Sequence, residues 1–426
     1  MIEGFPELIP VRQELWSKRE SDVEAAVARC VRAARFTARI KPGFTVAVAV
    51  GSRGVANIDR LARAAIATLK ALGATPFIIP AMGSHGGGTA EGQIEILRDL
   101  GVTEAVCGAP IRSSMEVERI GETETGMPVY FDRNALGSDA IVAINRVKKH
   151  TDMTSPHESG LVKMLAIGLG KRAQAELIHA YGAAGLRDHI PPVARVMLAR
   201  TPIALGIATI ENGYEETAEV HGFEPNEIEA GERRLLIKNK RFLPRLPFDE
   251  IDVLIVDRMG KEISGTGMDT NVLGRIRILG EPEPRSPRVQ WVAVLDLTAA
   301  SHGNAIGVGL ADVTTKRLVD KIDFGATYVN GITSGFFERA KVPITLSNDR
   351  EAISTVFGRL SPERRGQPRV ARIADTLHLD RFDVSRDLLA TTKRPLEVLG
   401  TSRPLAFDPA GHLQAWPDAR HHAASA

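Results

Sequence analysis

Short apolar runs, separated by glycine-rich loops and amphipathic segments, set the rhythm of the chain. Residues 44–50 (FTVAVAV), 76–80 (PFIIP), 140–144 (AIVAI) and 202–211 (PIALGIATIE) are almost continuously apolar, with many β-branched side chains. That is the pattern of strands covered on both faces. Between them, residues 21–38, 58–72 and 90–100 repeat apolar positions near the helical period, with Gly73 closing the second helix. Strand, turn, helix and strand in that order predict a parallel sheet. Residues 115–131 (MEVERIGETETGMPVYF) alternate and predict a hairpin, and helices are expected at 172–181 and 226–239. After the turn signals Pro244 and Pro247 the pattern restarts, with strands expected at 251–256 (IDVLIV), 289–297 (VQWVAVLDL) and 369–377.

The expected fold class is therefore α/β: two α/β domains with mainly parallel sheets and an active-site cleft between them. The boundaries read as 1–246 for the N-terminal domain and 247–400 for the C-terminal domain that closes the cleft. A weakly patterned tail, 401–426, carries His421 and His422. A chain of 426 residues is long enough for two such cores.

Composition narrows the function classes. The chain has 54 basic and 52 acidic residues, a net charge of +2, without segregation of sign. This argues against a nucleic-acid platform. No apolar run reaches the length needed to span a bilayer, and no basic-then-apolar leader opens the sequence, so a cytoplasmic protein is expected. The two cysteines, Cys30 and Cys107, have neither disulfide-framework nor metal-site spacing and read as free thiols.

In parallel sheets the ligand crevice lies beyond the carboxyl ends of the strands. Arg53 stands there in the GSRG loop after the first strand, and His85 in the GSHGGG loop after the second, with Thr89 placed to cap the helix that follows. The strand at 140–144 delivers the chemically densest stretch, residues 145–182, which holds His150, His157, Lys163 and His179 among glycines. Neutral imidazole serves both as metal ligand and as near-neutral base, so this cluster suits metal chemistry, proton transfer or both. The GLGK turn at 168–171 is a poor phosphate loop, because Leu165 occupies the first glycine position and Arg172 follows the lysine. Its backbone amides remain a candidate anion cradle. The polar loop 261–275, after the strand at 251–256, is expected to wall the opposite side of the cleft.

Taken in order, His85 in its Gly-Ser-His loop, His150, the run Ser159-Gly160-Leu161-Val162-Lys163 and His179 resemble the lactate racemase family, with Arg53 in a strand-end loop. The resemblance covers most of the first domain. It implies a nickel-pincer nucleotide, a pyridinium mononucleotide whose two sulfurs and ring carbon bind nickel, with Ser159 and Gly160 beside it. On that resemblance Lys163 is the lysine that tethers the cofactor, and His179 the protein ligand to nickel. His85 and His150 are the two acid/base histidines, and Arg53 holds the substrate carboxylate or polarises the reacting group. The sequence departs from the family pattern at three places. The spacing from His150 to Lys163 is lengthened around His157, Val50 stands where an acidic residue is implied, and Arg275 is the nearest counterpart to a second-domain lysine.

The reading is a racemase or epimerase of a 2-hydroxy acid, lactate-like or larger, loaded by cofactor-synthesis enzymes and binding neither nucleic acid nor membrane. Two alternatives stand beside it: a zinc or other divalent-metal hydrolase built on His85, His150 and His179, and a non-catalytic ligand-binding protein. Substrate identity, the role of His157, the role of loop 261–275 and the oligomeric state stay open.

Overall fold

The computed structural model describes residues 4–52 and 54–415, so Arg53, His421 and His422 lie outside the described residues. The chain forms two compact units: Leu15–Leu243, and Met1–Glu14 together with Pro244–Ala426. Strands are numbered along the chain from β1 (Leu8–Arg12), which belongs to the second of these units.

The unit Leu15–Leu243 is built on β2 (Thr45–Val50) and β3 (Thr75–Pro80), followed by the hairpin β4 (Val117–Glu122) and β5 (Pro128–Asp132). Its sheet continues with β6 (Ala140–Arg146), β7 (Ile203–Glu211) and β8 (Thr217–Phe223). The order is β3-β2-β6-β7-β8, parallel except for β8. Residues 46 to 50 of β2 are wholly buried because both faces are covered. Val46, Val48 and Val50 pack with the helices Val23–Ala33 and Ile58–Ala71, whereas Ala47 and Ala49 pack with Phe77, Leu161 and Ile178 on the other face. From β2 the chain goes outward to β3 on one side and later enters β6 on the other. The carboxyl ends of β2 and β6 therefore flank the point where strand order reverses, and a crevice opens at such a point.

Several elements differ from expectation. The helix expected over 21–38 stops at Ala33, because Ala34 is extended, and a 3-10 segment Arg35–Arg39 follows. β8 and the helices Gly182–Asp188 and Ile190–Arg200 were not expected. The helix beginning near residue 172 follows an earlier helical piece across a turn at Gly170: Leu161–Lys163 is α-helical and Met164–Leu169 is π-helical. In consequence the GLGK turn is no anion cradle. Gly168 packs against the Ala81 carbonyl, where a Cβ would come to 2.6 Å, and the Lys171 side chain is buried.

The second unit carries β9 (Glu250–Val256), β10 (Arg288–Val294), β11 (Val313–Thr315), β12 (Ile344–Leu346) and β13 (Val370–Ile373), all parallel. β14 (Arg381–Ser385), β1 and β15 (Glu397–Val398) complete an eight-stranded sheet in antiparallel fashion. A first domain starting at residue 1 and a separate tail from 401 are both corrected by the pairing. Leu8 and Val11 are buried in the second unit, and Leu8 exchanges two backbone hydrogen bonds with Arg403 at 2.8 and 2.9 Å. Phe407 and Leu413 pack on the same core. Both sheets are mainly parallel and helices cover them, so the class is α/β.

Candidate active site

The strand ends of the first unit place the candidate residues. After β3, Gly83 turns the chain with φ +61, a conformation that favours glycine, and His85 emerges as the exposed cap of the short turn Gly86–Gly88. Ser52, at the end of β2, hydrogen-bonds its hydroxyl to Nδ1 of His85. The residue beyond it, Arg53, lies outside the described residues. Thr89 accepts from the Gly92 amide at 3.1 Å and starts the helix Ala90–Asp99, as the sequence suggests.

β6 delivers the densest part. Lys148 and Ser159 exchange backbone hydrogen bonds at 2.8 and 3.2 Å, closing a loop whose interior is organised by Glu158. That buried carboxylate accepts from the backbone amides of His150 (2.7 Å) and Ser155 (3.1 Å) and pairs with Lys240 at 2.6 Å. His150 is held at its backbone and its ring is almost fully buried, with Nδ1 accepting from the Asp152 amide at 3.0 Å. A neutral ring with an accepting Nδ1 carries its proton on Nε2. Nε2 faces Lys163 Nζ at 2.6 Å, so imidazole and amine form one proton-sharing pair.

Lys163 owes its position to a carboxylate the sequence does not advertise. Glu232, fully buried on the helix Ile228–Phe242, accepts from the Val162 amide at 2.8 Å, as a capping group does at a helix start. Its other oxygen pairs with His157 Nδ1 at 3.0 Å. His157 is thus a buried structural histidine. Gly160 presses on the same carboxylate, with a Cβ there meeting it at 2.4 Å, and its carbonyl accepts from Asn145 Nδ2 at 2.8 Å. Ser159 and Gly160 therefore shape the approach to Lys163 through their backbones.

His179 ends the helix Lys171–His179, sixteen positions after Lys163 in sequence. Its pKa falls below the usual 6.5, first because burial disfavours the cation and then because positive charge at Lys163 repels it; Asp152 opposes the shift. A neutral imidazole of this kind is the form that binds metals. His150, Lys163, His179 and Asp152 are thereby brought within electrostatic reach of one another. His85 and Ser52 stand at the neighbouring strand ends. Among the described residues no three histidine, cysteine, aspartate or glutamate side chains gather closely enough to hold a metal ion, so His85, His150 and His179 do not form a three-ligand zinc site.

In the second unit, Arg275 is not a site residue. It is buried, pairing with Asp312 at 2.7 Å and donating to the carbonyls of Leu310, Val289 and Gln290. It pins the end of the 261–275 loop to the sheet. Beyond β9 and β13, the buried carboxylate Asp375 receives Arg258 at 3.0 Å and His378 Nδ1 at 2.9 Å.

An α/β unit with a lysine–imidazole pair at the strand-order reversal and a neutral histidine nearby is the kind of protein this geometry defines. Comparison with known proteins adds that residues 9–184 match the family described as the lactate racemase N-terminal domain. A Thermotoga maritima protein of known structure is 11% identical, with a TM-score of 0.54, over 86% of this chain and 99% of its own. The lactate racemase apoprotein of Thermoanaerobacterium thermosaccharolyticum is 10% identical, with a TM-score of 0.48, over 83% of this chain and 91% of its own. No functionally curated protein matches in sequence. Among the described residues, no helix is long and apolar enough to cross a membrane.

Proposed function

We propose that the chain is a racemase or epimerase of a 2-hydroxy acid that works with a nickel-pincer nucleotide held at Lys163 and His179. The observation that carries this reading is the pairing of Lys163 with His150, beside a histidine kept neutral. The donor set fits such a group. A bare divalent ion would need three convergent protein ligands, which the described residues do not assemble. A pincer that brings its own sulfur and carbon donors needs only one, and His179 suits that part. Lys163 presents an amine for a covalent tether. When bound, the group supplies an electrophilic carbon that accepts and returns a hydride.

The protein's residues do the proton chemistry. His150 is oriented through Nδ1 by the Asp152 amide, and exchanges its proton at Nε2. His85, held at Nδ1 by the Ser52 hydroxyl, exchanges at its own Nε2. Two imidazoles on separate loops can take the substrate hydroxyl proton in either of two orientations, as interconversion of enantiomers requires. General bases of this type contribute on the order of 10²- to 10⁴-fold each. Arg53, three residues after β2 in sequence, is assigned the substrate carboxylate by charge-assisted pairing. The substrate is a small 2-hydroxy acid, and a cytoplasmic enzyme loaded by cofactor-making partners is expected.

The test is the intact mass of protein produced with the cofactor-synthesis enzymes, peptide mapping at Lys163, and a screen of 2-hydroxy and sugar acids for loss of optical purity. An adduct absent from Lys163→Ala, with interconversion of one acid, is expected. Loaded conditions that give neither adduct, nickel nor turnover would overturn the reading.

A further inference from the structure

Lys171 is fully buried, and none of the chemistry above uses it. Its backbone sits at φ +54, left-handed for a residue with a side chain, at the junction between Met164–Leu169 and Lys171–His179. The ammonium group donates to the Pro80 carbonyl at the end of β3 (2.6 Å) and to Gln93 Oε1 (3.4 Å), and forms an ion pair with Asp132 Oδ2 (3.0 Å). Gln93 is also fully buried and turns its other end toward the histidine loop. Its Nε2 donates to the carbonyls of Gly83 (2.9 Å) and His85 (3.4 Å).

A polar bridge thus runs from the segment bearing Lys163 and His179 to the loop bearing His85. The two pieces already touch, since the Gly83 amide donates to the Gly168 carbonyl at 3.3 Å and a Cβ on Gly83 would meet Ile167 at 2.8 Å. Apolar packing of this kind holds surfaces together and leaves their register loose, whereas directional donors fix it. A buried ammonium is unfavourable unless its donors are matched, and a methionine would fill the same volume without charge. What the lysine adds is its three donors.

We infer that Lys171 and Gln93 are positioning residues that set where His85 stands relative to Lys163 and His179. The inference rests on the reading of His85 as a proton-transfer group, but its geometry is testable without turnover.

The experiment uses the cofactor-free full chain with labelled histidine, the His85 signal being the one lost in His85→Gln. In Gln93→Met and Lys171→Met the ring signals and titration midpoint of His85 are expected to move, while those of His157 and His221 stay in place. Amide exchange over residues 81–88 is expected to quicken at least tenfold. Gln93→Met keeps the Lys171–Asp132 pair and decides the matter where Lys171→Met fails to fold. In loaded enzyme kcat should fall at least tenfold with KM little changed. Folded variants whose His85 titration and loop exchange match the parent would overturn the inference, as would a disturbance spread evenly over all histidines. If the loaded parent interconverts no 2-hydroxy acid, the racemase reading falls and the His85 titration still decides this one.

Discussion

Lys163 Nζ lies 2.6 Å from His150 Nε2, so the amine proposed as the tether and the imidazole proposed as a base share a hydrogen bond. Any change at the amine is felt by the base. Acylation would remove the amine's lone pair, so the Nε2 proton of His150 would lose its acceptor once the protein is loaded.

In its protonated form Lys163 also acts on His179. Its pKa is lowered first by burial and second by Lys163, so the folded protein resists protonating it. Below the ordinary value of 6.5 the unfolded chain takes up the proton first. Stability from this group is complete above that pH and is lost as pH falls through the lower folded value. Replacing Lys163 by Met should raise the His179 midpoint in an NMR titration. A midpoint that stays put would show that burial alone sets it.

Gly160→Ala should lower stability by about 1–3 kcal/mol, the usual range for overpacking a tight site. The new methyl group would meet the Glu232 carboxylate at 2.4 Å and push it off Val162 and His157. Calorimetry together with the fraction of Lys163 carrying an adduct would check this. Both should fall, because the carboxylate that starts the Lys163 helix is displaced.

Arg275→Met tests a residue that the family resemblance points to and the structure removes from the site. The change removes the bonds donated to the Leu310, Val289 and Gln290 carbonyls, while Asp312 keeps Arg277 at 2.8 Å, so the cost is about 1–3 kcal/mol. Denaturant unfolding should show that loss in the second unit, while KM of the folded fraction stays unchanged. A raised KM with normal stability would return Arg275 to the substrate.

Asp375 gives a pH signature of its own. Burial pushes its pKa up, but His378 and Arg258 outweigh this and hold it at about 2, below the ordinary 3.8. Because the folded value is depressed, the stabilisation is present above 3.8 and is lost as pH falls toward 2. It amounts to about 2 kcal/mol. Asp375→Asn should be less stable by that order at pH 7, and equilibrium unfolding should show the gap closing on acidification.

The parallel strands were legible because burial on both faces writes them as unbroken apolar runs, and β2, β3, β6 and β7 lie within a residue or two of their expected places. The places of His85 after β3 and His150 after β6 were legible in the strand pattern, whereas the pairing of Lys163 with His150 was not. The carboxylates that orient them were not. His157 finds Glu232 across 75 residues, and Lys171 finds Pro80 across 91, in ordinary-looking helices and strands. Nor does the π segment Met164–Leu169 show in the sequence, since apolar residues there satisfy an α-helical pattern equally well. β1 is too short and too far from its partners to reveal which sheet it joins.

That last pairing orders events during synthesis. Leu8 must wait for Ser385, and Val11 for Val398, before the chain's opening strand has an edge to join. At ribosomal rates of about 5–20 residues per second the delay is on the order of 20–75 s. Before it ends, the residues that build the lysine–imidazole site have emerged, while the apolar strand ahead of them is still unclaimed. β14 and β15, made long after β1, therefore decide when β1 is safe from wrong partners.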